Sequence, residues 1–422
     1  MEPSDHIFRH EAGRMVAALT RVFGLHNLEL AEDVVQDAFC RALEVWKQRG
    51  IPNNPSAWLM TTARNRALDV LRRERTARTF APEYGRLLNT EWTLANAVKE
   101  VFDSTDVRDD QLRMMFSCCH RRLTETAQVM LVLALVGGFG VREIEAAFVS
   151  SHAAVEKRLG RAKRVLKDSG VLFEIADAAD FAQRLPAVQR ALYLIFNEGY
   201  HGASAEAVVR ADLCHEAIRL TRLLARHPLA AMPSTHALLA LMYLNGARLP
   251  ARLDTAGNLT SLFDQDRSRW NRTMIDDGVA WLERSASGSE VSRYHVEAAI
   301  AAEHARAPSI EATDWNAIVS LYDTLMRIAP SPIVALNRAI ALAQRDGAER
   351  GRDAVDAIAD RDRLEAYPFY HAARGELALR LGDDATARTS FRAAASLARN
   401  AEERRFYERR LCAAMEAGGV NH

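Results

Sequence analysis

Two consecutive helical segments of opposite surface character, between residues 31 and 75, constrain this chain most. The first has apolar residues at helical spacing and an acidic start; its apolar positions are Val35, Ala38, Phe39, Ala42, Val45 and Trp46. The second is expected to begin at Pro55 with Asn54 as N-cap, and its apolar positions are Leu59, Ala63, Ala67 and Val70. An amphipathic helix predicted from Ile7 to Leu25 packs on both, so the sequence predicts a small all-helical domain ending near Arg78.

The outer stripe of the second helix combines an aromatic ring, a hydroxyl, an amide and charged groups at Trp58, Thr62, Asn65, Asp69, Arg72 and Arg73. Such a stripe can stack an unpaired base, bond to its edge and bind a flanking phosphate. The surrounding segment, residues 64–78, contains many more arginines than acids, which also favours phosphate. A solvated helix face with one partly buried tryptophan explains the same pattern.

The order of these helices resembles region 2 of the extracytoplasmic-function (ECF) sigma factors, the promoter-recognition subunits of bacterial RNA polymerase. The segments that resemble it are AEDVVQDAFCRALEVW and AWLMTTARNRALDVLRRER, joined by a loop with Pro52 and Pro55. The resemblance implies that the coiled coil of the largest polymerase subunit is bound by Asp33, Gln36, Asp37 and Arg41. It implies that the downstream promoter element is bound by Trp58, Thr62, Asn65, Arg66, Asp69, Arg72 and Arg73.

Composition excludes several other classes of protein. The 422 residues include 55 basic and 55 acidic side chains, so any nucleic-acid site must be local. Five cysteines, an odd number, are typical of reduced thiols rather than a disulfide framework. No apolar signal core or membrane-spanning run is present in the sequence, so we expect a soluble cytoplasmic protein.

Residues 79–105 lose strong periodicity and contain Pro82 and Gly85, which predicts a linker with one helix around Trp92 to Phe102. Such a linker would allow two DNA-binding units to move apart.

From residue 106 the pattern predicts helix, turn, helix. A helix with Thr124 as N-cap ends at Gly137 and Gly138, residues 141–148 form a short helix, and Ser151 caps the next after a break. The last helix has one apolar side, formed by Val155, Leu159, Ala162 and Leu166. The opposite side of this helix is formed by Ala153, Glu156, Lys157, Gly160, Lys163 and Arg164, with Arg161 at its edge. A basic outer face suits a major groove, although such patterns also arise without DNA binding.

The segment REIEAAFVSSHAAVEKRLGRAKRVL resembles region 4 of the same sigma factors. The resemblance implies that the upstream promoter element is bound by Ser151, His152, Glu156, Lys157, Arg158, Arg161, Lys163 and Arg164. The chain departs from the family at Val149 and Ser150, which replace the usual small-residue turn, and at the acidic Glu156.

The remaining residues, 171–422, read as helices without strand-like alternation; predicted helices include 193–200, 205–226, 234–248 and 268–284. Positions typical of tetratricopeptide (TPR) repeats are occupied by Gly375, Ala387, Phe391 and Ala394, and in an earlier repeat by Ile318, Tyr322 and Pro330. A helical bundle without repeat stacking is the alternative. Blocks such as FNEGYHG, FDQDRSRWN and ALLALMYLNGARLPAR resemble the C-terminal extension of an ECF subgroup, in which it is thought to replace a separate regulator.

Three short motifs have the residue types of a functional site, but simpler explanations fit them. Cys118, Cys119 and His120 are adjacent and lack the spacing of a zinc site. Three glycines at 137, 138 and 140 lie between helices, which removes a phosphate loop. The segment FDQDRSRWN contains Asp264, Asp266, Arg267, Arg269 and Trp270, which suit an internal ion-pair network at a helix start better than an active-site loop; an effector site is the alternative that stays open.

These observations predict an all-α protein with region 2 in residues 1–78, a linker in 79–105, region 4 in 106–170 and a TPR-like regulatory extension in 171–422. We expect an ECF sigma factor that directs core polymerase to promoters, without enzymatic activity, cofactor or metal. Its expected partners are core polymerase, promoter DNA and a regulatory protein or ligand at the extension. The alternatives are a helix-turn-helix activator or a TPR scaffold that does not join core polymerase.

Overall fold

The computed structural model describes residues 3–73, 106–148, 151–169, 178–201 and 209–419. In these residues the backbone is α-helical, with short 3-10 turns, one π-helical turn and a single antiparallel bridge between Leu253 and Leu259. The predicted all-α class is therefore confirmed. None of the helices within these ranges is long and apolar enough to cross a membrane.

The chain divides into two compact units, Met1–Ile195 and Phe196–His422. The sequence predicts a boundary at residues 170 and 171, which lie outside the described part of the chain, as do the linker prediction for 79–105 and the predicted break at Val149 and Ser150.

The first unit begins with three helices: α1 (Pro3–Phe23), α2 (Leu28–Arg49) and α3 (Pro55–Arg73). Asn54 caps α3 as predicted, because its Oδ1 accepts a hydrogen bond from the Ala57 N–H at 3.0 Å. Gly50 follows α2 with φ 78°, a backbone conformation that favours glycine. The predicted apolar positions form the core of α2 and α3; those that are fully buried are Val35, Ala38, Ala42, Trp46, Leu59, Ala63 and Ala67.

Four further helices and a π-helical turn follow in the same unit: α4 (Asp106–Cys118), α5 (Glu125–Leu131), the turn Val132–Val136, α6 (Val141–Phe148) and α7 (His152–Ser169). Thr124 is the predicted N-cap of α5, since its hydroxyl accepts from the Ala127 N–H at 3.3 Å. The buried side of α7 consists of Val155, Leu159, Ala162 and Leu166, as predicted.

These two groups of helices pack against each other. A Cβ on Gly13 in α1 would lie 1.8 Å from the Val136 carbonyl oxygen, so only glycine permits this approach. Arg21 in α1 lies 3.5 Å from the buried carboxylate of Asp110 in α4. The sequence suggests that these regions can move apart, whereas the structure presents them in contact.

The helix α8 (Ala178–Tyr200) begins much earlier than the predicted start at Tyr193. Pro186 lies inside it and interrupts the helical pattern in the sequence. Phe181 is buried and stacks on Phe116 with ring centroids 4.2 Å apart, so the start of α8 belongs to the core of the first unit.

The described residues of the second unit form ten more helices: α9 (Ala211–Arg226), α10 (Pro233–Gly246), α11 (Arg272–Ser285), α12 (Arg293–Arg306), α13 (Trp315–Ile328), α14 (Pro332–Asp346), α15 (Ala348–Asp356), α16 (Pro368–Arg380), α17 (Asp384–Ser396) and α18 (Ala401–Gly419). The pair α16 and α17 approaches closely, because a Cβ on Gly375 would lie 2.9 Å from the Phe391 ring. Phe391 is fully buried beside Ala387. The TPR-like repeat remains a prediction.

The start of α11 also differs from its prediction. The sequence predicts a helix from Ser268, but residues 267–269 form a separate 3-10 turn and α11 begins at Arg272. Asn271 sets this start, since its side chain accepts a hydrogen bond from the Met274 N–H at 3.1 Å.

Candidate polymerase and promoter surfaces

The predicted polymerase-binding face of α2 is exposed. All four of its side chains, those of Asp33, Gln36, Asp37 and Arg41, lie on the outer side of the helix. Arg41 pairs with Glu44 at 3.0 Å, within the same face. The face is therefore mixed in charge and accessible to a partner.

The predicted downstream-element face of α3 adjoins it. The Arg66 guanidinium pairs with the Asp37 carboxylate at 2.7 Å, so one ion pair joins the predicted polymerase face to the predicted DNA face. Because both side chains remain well exposed, the pair can exchange partners at small cost. The two surfaces are continuous on the first unit.

Trp58 is half-buried, since its ring meets Trp46 edge-on with centroids 5.6 Å apart. Thr62 is also half-buried and donates its hydroxyl to the Trp58 carbonyl at 2.9 Å. Asn65 and Asp69 are exposed. The side chains of Arg72 and Arg73 lie outside the described part, although both residues belong to α3.

Most of the predicted upstream-element residues on α7 are exposed. They are Ser151, His152, Glu156, Lys157, Arg158, Arg161 and Arg164. His152 lies 3.1 Å from the Glu145 carboxylate and 3.4 Å from that of Glu156, so the acidic residue on this face has a local partner. Lys157, Arg158 and Arg164 extend the positive charge along the helix.

Lys163 lies apart from this exposed group. Its ammonium contacts both carboxylate oxygens of Glu32 in α2 at 2.7 Å. One turn further on, Lys167 contacts Glu29 at 2.6 Å, and this contact lowers the pKa of the Glu29 carboxyl. The two lysines are about one helical turn apart, and so are the two glutamates; this shared spacing was a signal in the sequence that helix-by-helix reasoning missed.

The structure describes the side-chain surroundings of two of the three sequence motifs, the adjacent cysteines and the FDQDRSRWN segment. Burial raises the pKa of Cys118 and raises that of Cys119 to about 12, so both thiols stay protonated. The FDQDRSRWN segment is not the predicted ion-pair network in the contacts that the structure describes. Asp266 accepts instead from Ser268 at 2.6 Å, and Arg267 donates to the carbonyls of His304 and Ala307 at 2.8 and 2.6 Å.

Comparison with known proteins supports a sigma factor. Residues 7–77, which include α2 and α3, match the family model for Sigma-70 region 2. Residues 184–286 match a family of unknown function named DUF6596. No solved structure matches the chain significantly.

Relatives extend this result. The ECF RNA polymerase sigma factor SigK of Mycobacterium ulcerans is 29% identical over 158 residues, which is 35% of this chain and 79% of that protein. SigK of Mycobacterium tuberculosis is 24% identical over 181 residues, covering 39% of this chain and 91% of that protein. An uncharacterized protein of Rhizobium meliloti is 41% identical over 396 residues, covering 94% of this chain and 92% of that protein.

The first unit is helical and contains a match to Sigma-70 region 2, which places this chain in the class of sigma factors. The chain belongs to the ECF-type sigma factors, and it shares nearly its whole length with the Rhizobium meliloti relative.

Proposed function

We propose that this protein directs core RNA polymerase to specific promoters and starts transcription there. The exposed polar face of α2 within the Sigma-70 region 2 match is the observation that supports this most. In the proposal, Asp33, Gln36, Asp37 and Arg41 bind the coiled coil of the largest polymerase subunit. A sigma factor has no reaction of its own to catalyse, so we propose no enzymatic activity and a cytoplasmic location beside the polymerase.

Promoter recognition is proposed for α3 and α7. On α3, the half-buried Trp58 and exposed Asn65 would contact the downstream element, with arginines on its flanking phosphates. On α7, Lys157, Arg161 and Arg164 would lie at the major groove of the upstream element, together with the neighbouring exposed side chains. The alignment with SigK, longer than the region 2 match, supports a region 4 in this chain.

The extension is proposed to assist the sigma core. A chain cut after Gly170 would then remain soluble but give less promoter-dependent transcription than the full-length protein. A more active truncated form would indicate an inhibitory extension, and equal activity would exclude both roles. Because Phe181 packs in the first unit, a second truncation after His201 separates loss of the extension from loss of this contact.

Co-purification tests the proposal directly. Full-length protein should retain purified core polymerase in a pull-down, whereas a helix-turn-helix activator or a TPR scaffold that does not join the core should not. Replacement of Asp33 and Asp37 by lysine should weaken retention if α2 makes the contact.

A further inference from the structure

Two arginines of the second unit are buried without a carboxylate partner among the described residues. Arg248 and Arg252, on either side of the 3-10 turn Leu249–Ala251, are 9% and 7% exposed. Arg252 donates to the Tyr200 carbonyl at 3.1 Å. Arg248 makes two long hydrogen bonds of 3.4 Å, to the side-chain oxygens of Gln265 and Asn245. A buried guanidinium is normally compensated by a carboxylate.

These charges lie close to each other around two aromatic rings. The Arg252 guanidinium is 4.7 Å from the Tyr200 ring centroid, and Arg248 is 5.8 Å from the same centroid. Arg248 is also 5.4 Å from the Trp270 centroid, and Arg267 lies 5.1 Å from that ring. Burial and the charge of Arg248 lower the pKa of both Arg252 and Arg267. The aromatic rings attract each cation but cannot cancel the repulsion between them.

Nearby carboxylates are occupied. Glu403 is buried, but it forms an ion pair with Arg399 and accepts a hydrogen bond from the Arg399 backbone N–H at 3.1 Å. Elsewhere in the unit, Arg410 pairs with Glu376. The fold therefore supplies carboxylates to other arginines, and within the ranges that the structure describes Arg248 and Arg252 have none.

The same place contains several buried polar atoms without a hydrogen-bond partner in the described part of the chain. They are Arg252 Nε, Tyr200 Oη, Gln265 Nε2, Trp270 Nε1 and His304 Nδ1. Each of these five side chains is more than nine-tenths buried. Most are hydrogen-bond donors, so the cluster is rich in donors and positive charge and poor in acceptors.

An anion with several acceptor oxygens complements such a cluster. A bound water would satisfy some donors but none of the charge, whereas a carboxylate or phosphate would satisfy both. The position of Arg267 is fixed by its hydrogen bonds to His304, Ala307 and Thr313, so the Trp270 side of the cluster is preorganised.

We propose that Tyr200, Arg248, Arg252, Gln265, Trp270 and His304 form a binding site for a small organic anion, whose carboxylate or phosphate group is held by Arg248 and Arg252. These residues come from four segments of the second unit, so the ligand stabilises their arrangement. Such a site makes the extension a ligand-responsive part of the protein. It requires no assumption about polymerase binding.

Calorimetric melting of the full-length protein in a chloride buffer free of oxyanions tests the site. Inorganic phosphate and benzoate, each at about 20 mM with ionic strength matched by sodium chloride, represent the two chemistries. At least one of them should raise the Tm of the second unit by about 3 °C or more. The probe that raises the Tm more shows whether the site prefers a phosphate or a carboxylate.

Two variants complete the test. Arg248→Met should lose this shift, and without added oxyanion it should melt at or above the wild-type temperature because one repelling buried charge is gone. Arg352→Gln, an exposed change on α15, should keep the full shift. The proposal is overturned if neither probe raises the Tm of the wild-type protein, or if Arg248→Met keeps the Tm shift. It is also overturned if Arg248→Met melts well below the wild type or fails to fold, because either result would indicate a structural arginine. None of these readouts depends on transcription.

Discussion

The candidate functional residues of the two units differ in their exposure to solvent. In the first unit, the candidate functional side chains lie on exposed helix faces, as Asp33, Lys157 and Arg164 do. In the second unit, the unusual polar groups are buried, as Arg252 and His304 are. The two proposals follow this contrast, because exposed faces suit large partners and a buried polar cluster suits a small ligand.

The largest expected effect tests whether the units are separate. Phe181→Ala should destabilise the first unit by about 3–5 kcal/mol, because it removes a buried ring stacked on Phe116. Phe391→Ala, at a fully buried ring of the second unit, is the matched variant and should lower only the other melting transition. Calorimetry measures both melting transitions. If the two variants shift one and the same transition, the two units do not melt separately.

Acid should weaken the second unit in particular. Burial, followed by the charges of Arg248 and Arg267, lowers the pKa of His304 to about 3. The unfolded histidine titrates near pH 6.5, so the folded unit binds fewer protons below that pH and loses stability as the pH falls toward about 3. Between about pH 7 and 5 this loss is about 2 kcal/mol.

Melting temperatures across this pH range measure the effect. His304→Gln cannot titrate, so the second transition of that variant should depend less steeply on pH. An unchanged slope would show that His304 is not the group responsible.

Charge reversal tests the exposed face of the first unit. Asp33→Lys with Asp37→Lys should weaken binding to core polymerase at least about tenfold, because both side chains are exposed on the proposed contact. Folding should change little, since exposed substitutions usually alter stability by about 0.5 kcal/mol or less. Glu349→Lys with Asp353→Lys, at the same spacing on α15 of the second unit, is the control. Equal core binding by both double variants would contradict the assignment of α2.

The smallest expected effect is a difference in the salt dependence of DNA binding between two lysine variants of α7. Lys157→Ala on α7 should reduce the salt dependence of holoenzyme binding to a promoter by about one phosphate contact. Lys163→Ala should leave it unchanged, because Lys163 is paired with Glu32. A larger change for Lys163 would show that the pair opens when DNA binds.

The faces of α2, α3 and α7 could be predicted from sequence because helical periodicity alone decides which side of a helix is apolar. The Asn54 and Thr124 caps were predictable for the same local reason. The contact of Lys163 with Glu32 could not be obtained from one helix, since it joins residues far apart in the chain.

The arginine cluster of the second unit was beyond sequence reasoning for a stronger reason. Tyr200 and Arg248 belong to segments separated by two helices, α9 and α10, and His304 lies on α12. The charges of the segment from Asp264 to Trp270 indicated ion pairs, but its acids accept hydrogen bonds from serines and its arginines donate to carbonyls. Tertiary packing, which composition does not specify, assembled the cluster.

Run-off transcription with purified core polymerase on fragmented genomic DNA of the source organism tests the central claim most directly. Core polymerase with the full-length protein should produce discrete transcripts that share upstream and downstream sequence elements, and core polymerase alone should not. The Asp33→Lys, Asp37→Lys double variant should lose these transcripts, and the α15 control should keep them. Identical transcript sets with and without the protein would contradict its role as a sigma factor.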